Sequence, residues 1–300
     1  MSFFQALRNT IRFVANHPLN RGRRLRAVAH FAAWQLRVRL TRAPIVHEWV
    51  NGARILAGVG ETGVTGNIYG GLHEFEDMAF VLHALGPESL FVDAGANVGS
   101  YTVLACAAKG ARGVSIEPVP ATFERLMANI RLNRLEDRVQ ALNCGLSDAG
   151  GELRLTANEN CTNHVVRDGE SAAETVRVPV RTLDDVLRGE SPTVLKVDVE
   201  GFEGSVLAGA GETLRNASLQ AVILELNGAG ARYGFDDDEI VNTMRDAGFS
   251  PCAYQPFSRT LTNLGGKNPD SANTLFVRDV DAMRARLKGA PVVEVHGVAL

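Results

Sequence analysis

Five short apolar runs cross the middle of this chain, Leu90–Asp93, Gly113–Glu117, Val139–Asn143, Thr193–Asp198 and Ala221–Glu225, and each ends in a polar residue. Apolar residues at helical spacing fill most of the intervals, the pattern of buried parallel strands joined by helices. The alternation predicts an α/β fold built on a doubly wound, mostly parallel sheet. In such a sheet the carboxyl ends of the strands share one edge, and ligands bind outside it. Asp93, Glu117, Asn143, Asp198 and Glu225 are therefore expected at one site. Strands over 249–254 and 273–277 bring the expected sheet to seven, with helices over 75–85, 182–187 and 236–247. Segments 152–156 and 176–182 alternate and read as a hairpin or edge addition. Residues 45–56 are ambiguous between strand and helix, and the glycine-rich stretch 61–71 reads as a loop.

The first run continues as Asp93-Ala-Gly-Ala-Asn-Val-Gly-Ser-Tyr-Thr102, a strand end that turns through glycines into a helix. Gly95 and Gly99 suit a tight turn approached by a ligand, with Asn97 between them and Ser100 opening the helix. Dinucleotide sites keep this turn neutral so that a pyrophosphate can rest on the helix. A carboxylate at Asp93 repels a diphosphate and attracts an ammonium group, which points to S-adenosylmethionine. Glu117, 24 residues after Asp93, is placed to accept hydrogen bonds from ribose hydroxyls. Asn143, Gly145, Leu146 and Asp148 follow the third strand, where an amide or backbone groups could read adenine.

Leu195-Lys-Val-Asp-Val-Glu-Gly-Phe-Glu203 is the second distinctive segment. Period-two alternation puts Lys196 and Asp198 on one face of the fourth strand. A buried ammonium group needs a counter-charge, and Asp198 or Glu225 is the candidate.

Charge and cysteine usage narrow the partners. The net charge of -3 gives no general attraction to nucleic acid, so no nucleic-acid partner is expected. Residues 1–47, in contrast, carry nine arginines with no lysine and no acidic residue. Phe3, Phe4, Leu7, Ile11 and Val14, then Leu25, Val28, Phe31, Ala32, Leu36 and Leu40, predict two amphipathic helices broken at Pro18. That arm could bind anionic lipid peripherally or a phosphorylated substrate, or pack on the catalytic domain with its arginines in water. Cys106, Cys144, Cys161 and Cys252 have no zinc or redox spacing, and reduced thiols are expected. With no signal-peptide pattern or long apolar run, the expectation is a cytoplasmic protein, peripheral to the membrane at most. The expected organisation is a basic arm over 1–50, a cofactor-binding domain over 51–280 and a tail over 281–300.

These residues resemble the FkbM-type methyltransferases, which depend on S-adenosylmethionine. The likeness spans roughly residues 68–278, on Phe-Val-Asp-Ala-Gly-Ala-Asn-Val-Gly-Ser-Tyr-Thr at 91–102, Glu117-Pro118, Asn143 with Leu146-Ser147-Asp148, the Lys-x-Asp-x-Glu-Gly-x-Glu segment at 196–203 and Leu224-Glu-Leu226. The last-but-one motif is the most specific. Gly145 and Phe202 depart slightly from the family's usual residues. The resemblance implies a class I, Rossmann-like seven-stranded sheet and methylation of a hydroxyl oxygen, with a sugar, glycan or secondary metabolite as acceptor.

Such a transfer needs alignment and a base for the hydroxyl proton. Asp198 is the first candidate, followed by Glu200, His73 and His164, with Lys196 beside them. Magnesium could be held by Asp198 with Glu225, but no metal spacing supports it and no metal ligand is assigned. The alternatives are a nicotinamide-dependent oxidoreductase and a non-catalytic cofactor-binding adaptor.

Overall fold

The computed structural model describes residues 3–41, 43–58, 62–157, 163–167, 170 and 174–300. Helices α1 (Phe3–Asn16) and α2 (Arg24–Thr41) form the arm, separated by a short turn at Pro18–Asn20. The hairpin β1 (Ile45–Glu48) and β2 (Arg54–Ala57) resolves the ambiguous stretch as strand, and α3 (Thr62–Gly70) and α4 (Phe75–Ala84) follow.

The alternating core then runs β3 (Leu90–Ala94), α5 (Ser100–Val103), β4 (Arg112–Ile116), α6 (Pro120–Leu132) and β5 (Val139–Leu142). Strands β6 (Gly145–Leu146), β7 (Gly151–Thr156) and β8 (Thr175–Arg181) make a separate small sheet, in which β7 and β8 pair antiparallel. The chain returns through α7 (Leu183–Val186), β9 (Val194–Val197), α8 (Glu203–Ala208), α9 (Gly211–Arg215) and β10 (Ala221–Glu225). It ends with α10 (Asp237–Asp246), β11 (Ser250–Gln255), β12 (Thr260–Asn263), β13 (Asn273–Val277), α11 (Val280–Gly289) and the short hairpin β14 (Glu294–Val295) and β15 (Val298–Ala299).

The main sheet has the order β12-β11-β13-β10-β9-β3-β4-β5. Neighbours from β5 to β10 pair parallel, and β13 is antiparallel to β10. This is the expected α/β doubly wound architecture with one strand more than the seven expected. The extra strand, β12, extends the edge because Cys252–Gln255 fold back on Thr260–Asn263 as a hairpin, an edge addition that carries no long apolar run to announce it.

Two apolar clusters sandwich the sheet. On one face Phe91, Val194 and Ile223 meet α4 and the helix after β3; on the other Val92, Leu195, Val222 and Leu224 meet α8 and α10. Parallel register places Asp93 opposite Ser115 on one side and Lys196 on the other, with Ile223 beyond Lys196. The polar strand ends thus emerge on the face that carries α4 and α5. The last residues join the same body, since Leu287, Val293, Val295 and Leu300 are buried with that first cluster.

Residues 62–70 are helical where a loop was expected; Glu61 lies outside the described residues. Val64 and Ile68, one turn apart, are fully buried against the arm and Val98. That burial overrides the weak helix propensity of glycine. Gly66 is there because the His73 ring would lie 2.2 Å from any Cβ at that position. The arm also differs from the single stripe read in the sequence: Ala27, Phe31, Trp34 and Val38 face inward, while Leu25, Leu36 and Leu40 point to solvent.

Candidate active site

The turn after β3 is pinned to two neighbouring strands. Gly95 takes φ +81°, and a Cβ there would lie 1.8 Å from the Asp198 carbonyl oxygen, so only glycine permits this contact. The backbone N–H groups of Gly95 and Ala96 donate to the Ile116 carbonyl. Glu117 closes the cradle, its Oε2 accepting from the Asn97 N–H at 3.0 Å and its Oε1 from the Val119 N–H at 2.9 Å. Burial pushes the Glu117 carboxyl up to about 7, against the pull of those two N–H groups. Each oxygen keeps a second lone pair, so hydroxyl donors arriving there would complete the set.

A cavity of about 320 Å³ opens over this turn. Asp93, Gly95, Asn97, Ser100 and Glu117 line one side of it, with Gly145 and Leu146 of β6. Gly99 faces away from it onto Leu126. Ser100 Oγ donates to the Gly63 carbonyl at 2.9 Å and accepts from Asn67 Nδ2 at 3.2 Å, tying the cradle to α3. The Asn143 amide donates to the carbonyls of Glu117 and Pro118, at 2.8 and 3.0 Å, and so props the turn that carries Glu117. Asp148 is exposed in the turn beyond, paired with the Ser147 hydroxyl, and neither Asn143 nor Asp148 lines the cavity.

Asp93 is buried at the strand end, where the Thr102 hydroxyl donates to its Oδ2 at 2.6 Å. Thr102 has then spent its proton, so the Ser115 hydroxyl 2.7 Å away donates to it. Burial raises the Asp93 carboxyl, opposed by the charge of Lys196. Lys196 is the hub of the site, with Nζ 2.5 Å from Asp198 Oδ2 and 4.7 Å above the centre of the Tyr101 ring. Burial works against its ammonium form, but Asp198, Glu74 and Asp93 together hold it above the usual lysine range.

Beyond Asp198 the chain turns sharply, with Glu200 in the left-handed region at φ +56°. Glu203 holds that turn, its Oε1 accepting from the N–H groups of Val199 and Gly201. Burial, then the charges of Asp198 and Glu203, push Glu200 up to about 7. Asp198, Glu200 and Glu225 each offer a carboxylate oxygen within 4.8 Å of the other two. Burial and those same neighbours raise Glu225 strongly, and among the described residues its buried Oε2 has no hydrogen-bond partner. Burial and crowding favour the protonated forms of Glu200 and Glu225, so a proton shared between these two is favoured, while Lys196 pairs with Asp198. All three line the cavity, where they can accept a proton from a bound hydroxyl.

The two histidine candidates part company. His73 is exposed at the rim, stacked edge-on against Phe13 at 5.3 Å, and lines the cavity. His164 is buried and turned toward Glu170, with Nε2 3.2 Å from its Oε1; its neighbours Asn163 and Val165 line the cavity instead. Cys106, Cys144 and Cys252 are buried free thiols, and Cys161 lies outside the described residues.

Sequence reading passed over Glu74 and Tyr101, which both line the cavity beside Lys196. Glu74 and Asp77 are held together by Asn273, whose Nδ2 donates to both, at 2.9 and 3.0 Å. Burial, then Glu74, push Asp77 up to about 7. Glu74 stands next to His73 in sequence, and Tyr101 lies within the cradle motif, so only their partners, not their segments, were hidden.

A doubly wound sheet carrying a glycine turn closed by a strand-end carboxylate defines a nucleoside-cofactor-binding fold. The FkbM methyltransferase domain matches residues 93–251, and the chain belongs to that methyltransferase family. It is 31% identical over 172 residues to methyltransferase sdnD of Sordaria araneosa, covering 46% of this chain and 66% of that protein. It is 29% identical over 183 residues to the hexuronic acid methyltransferase AglP of Haloferax volcanii, covering 59% and 70%. The chain thus spans about two thirds of the length of these relatives. A crystal structure of methyltransferase FkbM from Methylobacillus flagellatus aligns with a TM-score of 0.45 at 17% identity, over 71% of this chain and 52% of that one.

Proposed function

We propose that this protein transfers a methyl group from S-adenosylmethionine to a hydroxyl oxygen of a small molecule or glycan, a sugar being the favoured acceptor. The reading rests above all on one observation: the cradle closed by Glu117 and the carboxylates Asp198, Glu200 and Glu225 face the same cavity. The family match sets aside the nicotinamide oxidoreductase, and the likeness to a hexuronic acid methyltransferase supports a sugar acceptor.

The residues present fit the cofactor. Glu117 keeps acceptor capacity for two hydroxyl donors, and Gly95, Asn97 and Ser100 line the same cavity beside it. Bound there, S-adenosylmethionine supplies an electrophilic methyl group for direct displacement. Glu117 would hold the ribose, Gly145 and Leu146 would flank the adenine, and Asp93 with Glu74 would receive the ammonium end. On the acceptor side Asp198 is fixed by Lys196 and takes the hydroxyl proton, either itself or through Glu200. Asn143, Thr102 and Glu203 touch none of the reacting groups and act by holding the turns that carry them. No metal is assigned, with Lys196 supplying the positive charge beside Asp198. We place the reaction in the cytoplasm, where thiols such as the three buried here stay reduced.

Incubation with isotopically labelled S-adenosylmethionine and a panel of uronic acids, neutral sugars and hydroxylated metabolites tests the reading, with mass spectrometry locating the label. Label on an acceptor oxygen supports it. Label on nitrogen or carbon, or tight adenosylhomocysteine binding with no turnover on any acceptor, would sink it; the second result would instead favour the adaptor.

A further inference from the structure

We propose that the outer face of α2 is a docking surface for an anionic lipid bilayer, on which the helix lies flat. Leu25, Ala29, Ala32, Leu36 and Leu40 recur every three or four residues and so form one stripe along the helix. The stripe lies opposite the buried residues Ala27, Phe31, Trp34 and Val38, which already satisfy the protein core. Leu25 is 89% exposed, Leu40 73% and Leu36 61%, far more than scattered surface leucines require.

Charge says what covers the stripe. Arg26 and Arg37 flank it on one side and Arg39 on the other, and all three are exposed. Among the described residues none of them pairs with a carboxylate, and no acidic residue precedes Glu48. An apolar line between two basic margins matches an interface of acyl chains beneath anionic headgroups. A second copy of this chain would instead set arginine against arginine along both margins. The helix, 18 residues or about 27 Å long, is not apolar enough to cross a bilayer, which leaves the in-plane arrangement.

The inner face of α2 leads to the active site. Phe31 packs edge-on against Tyr69 of α3 at 4.9 Å, and Gln35 Nε2 donates to the Tyr69 hydroxyl at 2.6 Å. Gly63, at the other end of α3, lines the cavity and accepts from Ser100. Docking would therefore fix the cavity wall relative to the membrane. The surface lies outside residues 93–251, so it belongs to this chain's arm and not to the shared catalytic domain.

Co-sedimentation of the full chain with vesicles of equimolar phosphatidylglycerol and phosphatidylcholine tests the proposal. At low salt the protein should pellet with them and not with pure phosphatidylcholine, and its affinity should fall about tenfold or more at high salt. Replacing Leu25, Leu36 and Leu40 together by serine, or Arg26, Arg37 and Arg39 together by glutamine, should each weaken binding about tenfold or more. Neither set should lower the melting temperature, since these side chains face water; if the serine variant misfolds, the arginine variant decides alone. Absence of pelleting with anionic vesicles at low salt overturns the proposal, as does binding that neither variant weakens. A concentration-dependent dimer that dissociates in the leucine variant, without vesicle binding, also overturns it and makes the stripe a subunit contact.

Discussion

Lys196 on β9 and Asp198, the first residue beyond that strand, face the same way, and their side chains meet at 2.5 Å just where the chain enters the cavity. The pair sets the charge of the whole site. Lys196 is almost wholly buried, whereas the Asp198 side chain keeps 28% of its surface in water. The lysine therefore depends on the carboxylate far more than the reverse.

Lys196→Met should destabilise the protein by up to about 3 kcal/mol, the low end for breaking a buried ion pair, because water still reaches Asp198. It should also lower turnover, since Asp198, Glu200 and Glu225 then crowd together without a counter-charge. Adding Asp198→Asn should recover part of the stability and none of the activity. Chemical denaturation beside a methylation assay checks both statements.

Burial pushes the Glu117 carboxyl up to about 7 in the ligand-free protein, above the ordinary glutamate range. A folded-state pKa above the unfolded one contributes stability that is complete below the unfolded value and is lost as pH rises through the folded value. The ligand-free protein should therefore lose stability from this group between about pH 4.5 and 7. Hydroxyl donors prefer the ionised form, so adenosylhomocysteine should bind more tightly as pH rises through the same window. Glu117→Gln should lose about 1 to 3 kcal/mol of binding and flatten the pH dependence in calorimetry.

Asp198→Asn should keep adenosylhomocysteine affinity and lose roughly 100-fold or more in turnover if Asp198 is the base. Glu200, held up to about 7 by burial and its acidic neighbours, gives a second signature. Turnover should rise with pH through about 7, and Glu200→Gln should remove that limb if the proton passes through it. Near-normal turnover in the Asp198 variant, with a large loss in the Glu200 variant, would exchange their roles.

Chelation should leave turnover unchanged, because a shared proton and Lys196 already offset the three carboxylates within 4.8 Å of one another. Loss of activity in EDTA, restored by added magnesium, would show that a cation takes the place of that proton.

The sequence by itself determined the architecture and the catalytic edge. Buried parallel strands must be apolar throughout, so β3, β4, β5, β9 and β10 stand out, and their polar last residues can lie only at the carboxyl edge. Asp93, Glu117, Asp198 and Glu225 were legible for that reason, and the family match followed from the same motifs. Tertiary structure decided what no local pattern encodes. Tyr101 lies beneath the Lys196 ammonium group, Glu74 acts on it through its charge, and Asn273 holds Glu74 and Asp77 from 199 residues beyond Glu74 in sequence. Asn143 became a prop because the carbonyls of Glu117 and Pro118, from the neighbouring strand's turn, lie within reach of its amide. α3 is a helix because the arm and Val98 bury Val64 and Ile68, a gain that outweighs its glycines. Periodicity marked α2 as amphipathic but could not say which apolar face turns inward. Phe31, Trp34 and Val38 packed on Tyr69 and its neighbours settled that, leaving Leu25, Leu36 and Leu40 facing water.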